Sequence, residues 1–181
     1  MSSRQFLARP SSHRQAPDAS HSRGTERLLF NGAMRNLSWL DNIACQVPIT
    51  AEGCEYPSSE HYFHAQKFVN APDWQEAVRK ETDPLAAKRL GRSGPLRQDW
   101  EEVKEEVMEE AVFLKFSQYR LLRRQLLETH PRELVEHAPD SCWGDGMDGS
   151  GRNLLGKVLM RVRQRLRDAE SETQVPTGSS S

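Results

Sequence analysis

Three stretches of the 181-residue chain hold side chains that packing alone does not call for: residues 56–68 (YPSSEHYFHAQKF), 88–92 (KRLGR) and 142–157 (CWGDGMDGSGRNLLGK). In the first, Glu60 and Lys67 are seven positions apart with His64 between them. At 3.6 residues per turn that spacing puts a carboxylate and an amine on one face of a helix. Glu60 would fall in the first turn, where free N–H groups and the helix dipole favour the ionised carboxylate, which suits a base or a stabiliser of a cation. The plainer alternative is a solvated pair of charges with Glu60 near a cap. His61 and His64 are three apart, a spacing that can ligate a metal, but no third ligand has an obvious place, so no metal and no cofactor are expected.

In the second stretch, Lys88, Arg89 and Arg92 surround Gly91, and Arg97 follows. Such donors can grip phosphate oxygens, or they can complement a helix C-terminus. The third has Gly144, Gly146, Gly149 and Gly151 within eight residues, leading into a final helix. Glycine lets backbone approach a ligand closely, and N–H groups at the helix start with Arg152 and Lys157 would form an anion site. Trp143 offers a stacking surface for a planar base and Asp145 a second carboxylate. A flexible glycine-rich turn is the ordinary reading of the same residues.

Composition limits what these stretches can serve. Twenty-five Lys and Arg against 26 Asp and Glu leave a formal charge of -1, so no global field draws the protein to duplex DNA or a membrane, and a phosphorylated ligand must be held by local clusters. Cys45, Cys54 and Cys142 are odd in number with no Cys-x-x-Cys spacing, which argues against a disulfide framework and structural zinc and fits a reducing compartment. No apolar run approaches the ~20 residues of a membrane span. A cytoplasmic monomer is therefore expected, although the Arg- and Ser-rich, acid-poor residues 1–25 also fit a mitochondrial leader.

The positioning elements can be read in turn. Residues 1–25 and 170–181 are polar and are expected to be disordered tails around one domain at 26–169. Short apolar runs at 27–30 and 46–50, bounded by Asn31-Gly32 and Glu52-Gly53, suggest strands that pair as a small hairpin or edge sheet. Ser58 can cap a helix ending near residues 70–72, and Asp83-Pro84 can start another that Gly91 closes. Asp99 with Glu102 resembles a capping box opening a long core helix whose apolar stripe covers 103–126. After His130-Pro131, a short helix is expected around 133–136, then an amphipathic helix through Leu155, Val158, Leu159, Val162 and Leu166. The expected fold is mainly α: a compact single domain of about six to eight helices with a small N-terminal β element.

Taken in order, YPSSEHYFHAQKF (56–68), AAKRLGR (86–92), LRQDWEEVKEEVM (96–108), KFSQY (115–119), LVEH (134–137), WGDG (143–146) and GRNLLGKVLM (151–160) resemble the NADAR family of N-glycosidases. The likeness covers about residues 28–166. It implies hydrolysis of a bond between ribose C1 and an amine nitrogen, the substrate being ADP-ribosylated guanine, as nucleotide or nucleic acid, or a small phosphoribosylamino-pyrimidine metabolite of riboflavin synthesis. It further implies Glu60, Asp145 and Lys67 as catalytic residues and Ser59, His61, Arg92, Trp100, Trp143, Gly144, Arg152 and Asn153 as substrate contacts. One segment departs: residues 36–42 read NLSWLDN where the family carries a Phe-Ser-Asn-Phe-like stretch. That departure leaves room for a module that binds ADP-ribose or a nucleotide without cleaving it. An interaction protein using the 101–127 stripe is a third class.

Overall fold

The computed structural model describes residues 26–43 and 47–173. The stretch expected as an N-terminal tail and residues 174–181 lie outside them, as does Gln46 at the start of the second apolar run. Six helices and four short strands are present among the described residues, so the fold is mainly α as expected. None of these helices is long and apolar enough to cross a membrane.

Strand β1 (Arg27–Phe30) and β2 (Ile49–Ala51) form where the apolar runs lie, but they do not pair with each other. β2 pairs antiparallel with β3 (Cys54–Tyr56) across Glu52 and Gly53, whose φ values of 50° and 77° are the left-handed pair that a two-residue hairpin turn requires. β1 pairs instead, in parallel, with β4 (Glu133–Glu136), the segment expected to be a short helix. The reason is tertiary: Leu134 and Val135 are both fully buried, and the register sets Leu28 beside Leu134 and Phe30 beside Glu136.

Helix α1 (Ser59–Ala65) is capped by Ser58 and tightens into a 3-10 turn at Gln66–Phe68. Then α2 (Pro72–Lys80) begins at its proline, a helix not anticipated, followed by α3 (Pro84–Leu90), whose N-cap Asp83 accepts a hydrogen bond from the Leu85 amide at 2.9 Å. The long stripe is two helices, α4 (Trp100–Gln118) and α5 (Arg120–Glu128), separated by extended backbone at Tyr119 (φ -116°, ψ 100°). Asp99 makes no capping bond; its carboxylate is taken by the Arg97 guanidinium, with contacts of 2.6 and 2.7 Å. Helix α6 (Leu154–Thr173) runs past residue 170, where a tail was expected to begin.

Met108, Ala111, Val112 and Phe116 on α4 meet Leu155, Val158, Leu159, Val162 and Leu166 on α6, with β1 and β4 sealing the edge. A second, smaller core of Ile49, Tyr56, Ala65, Phe68, Val78 and Ala87 joins the hairpin to α1, α2 and α3. Helices α1 and α4 contribute side chains to both cores, Tyr62 packing against each, and so tie them together.

Candidate active site

Ser58 sets the start of α1. Its Oγ accepts the His61 amide and bonds the His61 ring Nδ1 at 2.7 Å, while Ser59 Oγ donates to Asn42 Oδ1 at 2.9 Å. With Ser59, Glu60 and His61 all buried, the first turn is locked from both sides. Glu60, only 5% exposed, then projects into a cavity of about 630 Å³, a size suited to one small ligand.

Beside Glu60 stands His64, whose Nε2 lies 3.0 Å from Glu60 Oε1. Burial pushes the His64 pKa down, outweighing the upward pull of the Glu60 carboxylate, so the ring is neutral and donates through Nε2–H. A β-carbon at position 91 would run into the His64 ring. Gly91 closes α3 as expected, but with ordinary right-handed φ of -60°; close approach, not a left-handed turn, demands glycine there.

The 3-10 turn alters the helical spacing, yet Lys67 still lines the same cavity as Glu60. Its ammonium donates to the Gly91 carbonyl at 3.2 Å and lies 5.2 Å from the Trp100 ring centroid and 5.4 Å from that of Phe63. Burial lowers its pKa to about 8, with Arg92 and Lys88 adding to the push and Glu60 opposing it. Phe63 stands edge-on between Trp100 and Trp143, at 5.1 and 5.4 Å, so both tryptophans are braced as walls of the cavity. Among the four basic residues flagged around Gly91, Arg89 pairs with Asp83 and Arg97 with Asp99. Lys88 and Arg92 line the cavity and form no ion pair among the described residues.

The glycine-rich segment is organised differently from the sequence expectation. The amides of Asn153, Leu154 and Leu155 bond the carbonyls of Gly144, Cys142 and Trp143, at 2.9, 3.1 and 3.0 Å. The amides leading into α6 are thus taken by carbonyls of its own loop. Asp145 is outside the cavity lining: its carboxylate takes the His137 ring at 2.9 Å and the Met147 amide at 3.0 Å, and these bonds hold it below the usual carboxylate range, the His137 bond foremost. Asn153 bridges β4, accepting from the Glu136 amide at 3.0 Å and donating to the Leu134 carbonyl at 2.9 Å. Arg152 is more than half exposed and reaches Glu105 at 3.2 Å, and Lys157 is exposed. Gly144 packs where a β-carbon would meet three carbonyl oxygens within 2.9–3.1 Å.

Of the sequence-predicted residues, then, Glu60, Lys67, Arg92, Trp100 and Trp143 converge on one cavity, while Ser59, His61, Gly144, Asp145, Arg152 and Asn153 hold the frame behind it or lie beside it. Sequence reasoning assigned no role to Asp41, Asn42, Lys104, Asp140 and Glu136, which also line it. Glu136 lies within the LVEH motif, Lys104 within the 96–108 motif, and Asp41 and Asn42 within the divergent 36–42 segment. No group of three or more His, Cys, Asp or Glu side chains among the described residues is placed to hold a metal ion.

Residues 29–167, which span this mainly α domain and every residue lining the cavity, match the NADAR domain. The chain belongs to the NADAR domain family. It is similar to N-glycosidase YbiA of Escherichia coli (strain K12), 48% identical over 122 residues, which is 66% of this chain and 76% of that protein. It is 42% identical over 121 residues to an N-glycosidase of Nostoc punctiforme, covering 64% of this chain and 78% of the relative. A riboflavin biosynthesis protein of Vibrio vulnificus is 46% identical over 123 residues, 66% of this chain but 33% of that longer protein. The NMR structure of E. coli YbiA superposes with a TM-score of 0.76 at 41% identity, covering 85% of this chain and 92% of the other. The chain is accordingly an enzyme of the N-glycosidase class, a hydrolase acting on N-glycosyl compounds.

Proposed function

We propose that the bond cleaved joins C1 of a ribose 5-phosphate unit to the amine nitrogen of a pyrimidine. The observation that carries this reading is the pairing pattern of the basic side chains: among the described residues Lys88 and Arg92 enter no ion pair, and both line the cavity that also holds Glu60. Unpaired cations beside a ligand-sized cavity suit a phosphate, for which Arg offers a bidentate grip. Trp100 and Trp143 present faces for a planar heterocycle. The names of the Vibrio relative and of a chloroplastic maize relative, both riboflavin biosynthesis proteins, lend support to a phosphoribosylated pyrimidine.

Breaking a ribosyl–nitrogen bond leaves positive charge on the ribose ring. The Glu60 carboxylate, oriented by the neutral His64 N–H, stabilises that charge or directs the incoming water. Lys67 supplies a second route. With a pKa near 8 a useful fraction of its amine is neutral at physiological pH, so it can attack the ring-opened imine of the glycosylamine, expelling the amine and leaving a Schiff base that water then hydrolyses.

The test compares three substrates: the phosphoribosylamino-pyrimidine, its dephosphorylated riboside, and ADP-ribosylated guanine. The expected result is a kcat/KM about 100-fold or more higher for the first than for the riboside, because a charge-assisted phosphate grip contributes about 3 kcal/mol. Preference for ADP-ribosylated guanine would replace the pyrimidine reading, and binding without turnover of any of the three would identify a non-hydrolytic module. Borohydride added during turnover is expected to label Lys67 if the Schiff-base route is used; unlabelled protein leaves direct displacement assisted by Glu60.

A further inference from the structure

Glu136 is one of the cavity acids that neither route uses. It is the last residue of β4, and its backbone is clamped on two sides: its amide donates to Asn153 Oδ1 at 3.0 Å and its carbonyl accepts from the Asp145 amide at 2.9 Å. The glycine-rich loop and the start of α6 thus fix one side chain on the cavity wall. That side chain is oddly placed for a structural acid. Its Oε2 is buried with no hydrogen-bond partner among the described residues, although a buried carboxylate oxygen is normally paired. Its neighbours are mostly acids: Asp41, Asp140 and Glu60 bear on it, with Lys88 the opposing cation.

From this placement we infer that Glu136 is the general acid of the reaction, delivering a proton to the leaving amine nitrogen. The inference rests on the proposed cleavage of a ribosyl–amine bond. As the C1–N bond breaks, its electron pair stays on nitrogen, which takes the Glu136 proton and departs as the neutral amine. Water adds its oxygen to C1 and yields one proton, which restores Glu136, so substrate and water become free ribose phosphate and amine. The environment keeps the required proton in place. Burial, then the charges of Asp41 and Asp140, raise the Glu136 pKa from 4.5 to about 8, so the group is protonated at neutral pH.

A Glu136→Gln variant separates this role from a structural one when assayed on two substrates sharing the ribose 5-phosphate: the ribosylated amine, and the 4-nitrophenyl riboside 5-phosphate, whose leaving group departs without a proton. Loss of a general acid is expected to lower kcat for the amine by about 100- to 10,000-fold, while the nitrophenyl substrate stays within about tenfold of wild type. Glutamine keeps the shape and lacks the protonation requirement, so the variant is expected to melt no lower than wild type. Equal losses on both substrates, or no loss on the amine, overturn the assignment while leaving the proposed function standing. Failure of the wild-type protein to cleave either substrate overturns both.

Discussion

A Glu60→Gln variant is expected to lose about 100- to 1,000-fold in kcat for ribosyl–amine cleavage, with KM changed by no more than a few-fold. The expectation follows from the geometry around one oxygen. Glu60 Oε1 accepts from His64 Nε2 at 3.0 Å, and the glutamine amide oxygen can accept the same bond. Helix capping by Ser58 is untouched, so the fold should persist with a melting temperature close to wild type. What disappears is the negative charge, which serves the transition state more than the ground state and so registers in kcat. Steady-state kinetics beside thermal melting checks this. A kcat within tenfold of wild type in a folded variant would remove Glu60 from the reaction.

Asp145→Ala is expected to damage stability and activity together. Asp145 is buried, and its carboxylate ties the His137 ring to the Met147 amide, while its backbone carbonyl receives the amides of Gly149 and Gly151. Removing a buried acceptor with two partners costs about 1–3 kcal/mol, which for a domain of this size lowers the melting temperature by roughly 3–10 °C. Activity should fall as well, because the same loop positions Trp143 and clamps Glu136. The pH dependence has a definite sign. Hydrogen bonding to His137 depresses the Asp145 pKa, so its contribution is full above the ordinary aspartate value and is lost as pH falls through the depressed one. The stability gap between variant and wild type should therefore close in acid, as melting curves at several pH values would reveal. A melting temperature unchanged at neutral pH, with activity abolished, would instead point to Asp145 acting directly on the substrate.

Glu136 carries the opposite sign. Its raised pKa means that the folded state holds a proton that the unfolded chain releases, so its effect favours folding least above pH 8 and erodes stability as pH rises from about 4.5 to about 8. A site that keeps an acid protonated at neutral pH does so at the expense of stability, a common feature of functional groups.

How much of this was legible in the sequence depends on the range of the contacts. Glu60 and Lys67 lie on one short helix and its 3-10 continuation, and local spacing brings them together even though the turn tightens. The capped starts of α1 and α3 were equally local, since Ser58 and Asp83 bond amides within three residues. Glu136 was not legible, because β4 is a strand only by virtue of β1, paired more than a hundred residues earlier in the chain. With Leu134 and Val135 both buried, no alternation marked the segment as a strand either. The internal bonding of the glycine-rich loop was hidden for a related reason. Its residue types suit anion binding, but nothing local reveals that the amides of Asn153, Leu154 and Leu155 are taken by the carbonyls of residues 142–144. The break at Tyr119 has no glycine or proline to announce it, and the apolar stripe continues across it from α4 into α5.

The central claim is that a ribose C1–nitrogen bond is the one broken. The most direct measurement is a mass balance: purified protein is incubated with the phosphoribosylamino-pyrimidine, and both halves are quantified by mass spectrometry as the substrate disappears. Equal amounts of ribose 5-phosphate and intact free amine are expected, in step with substrate consumed. Release of inorganic phosphate with the ribosyl–nitrogen bond intact, or full recovery of the substrate, would contradict it.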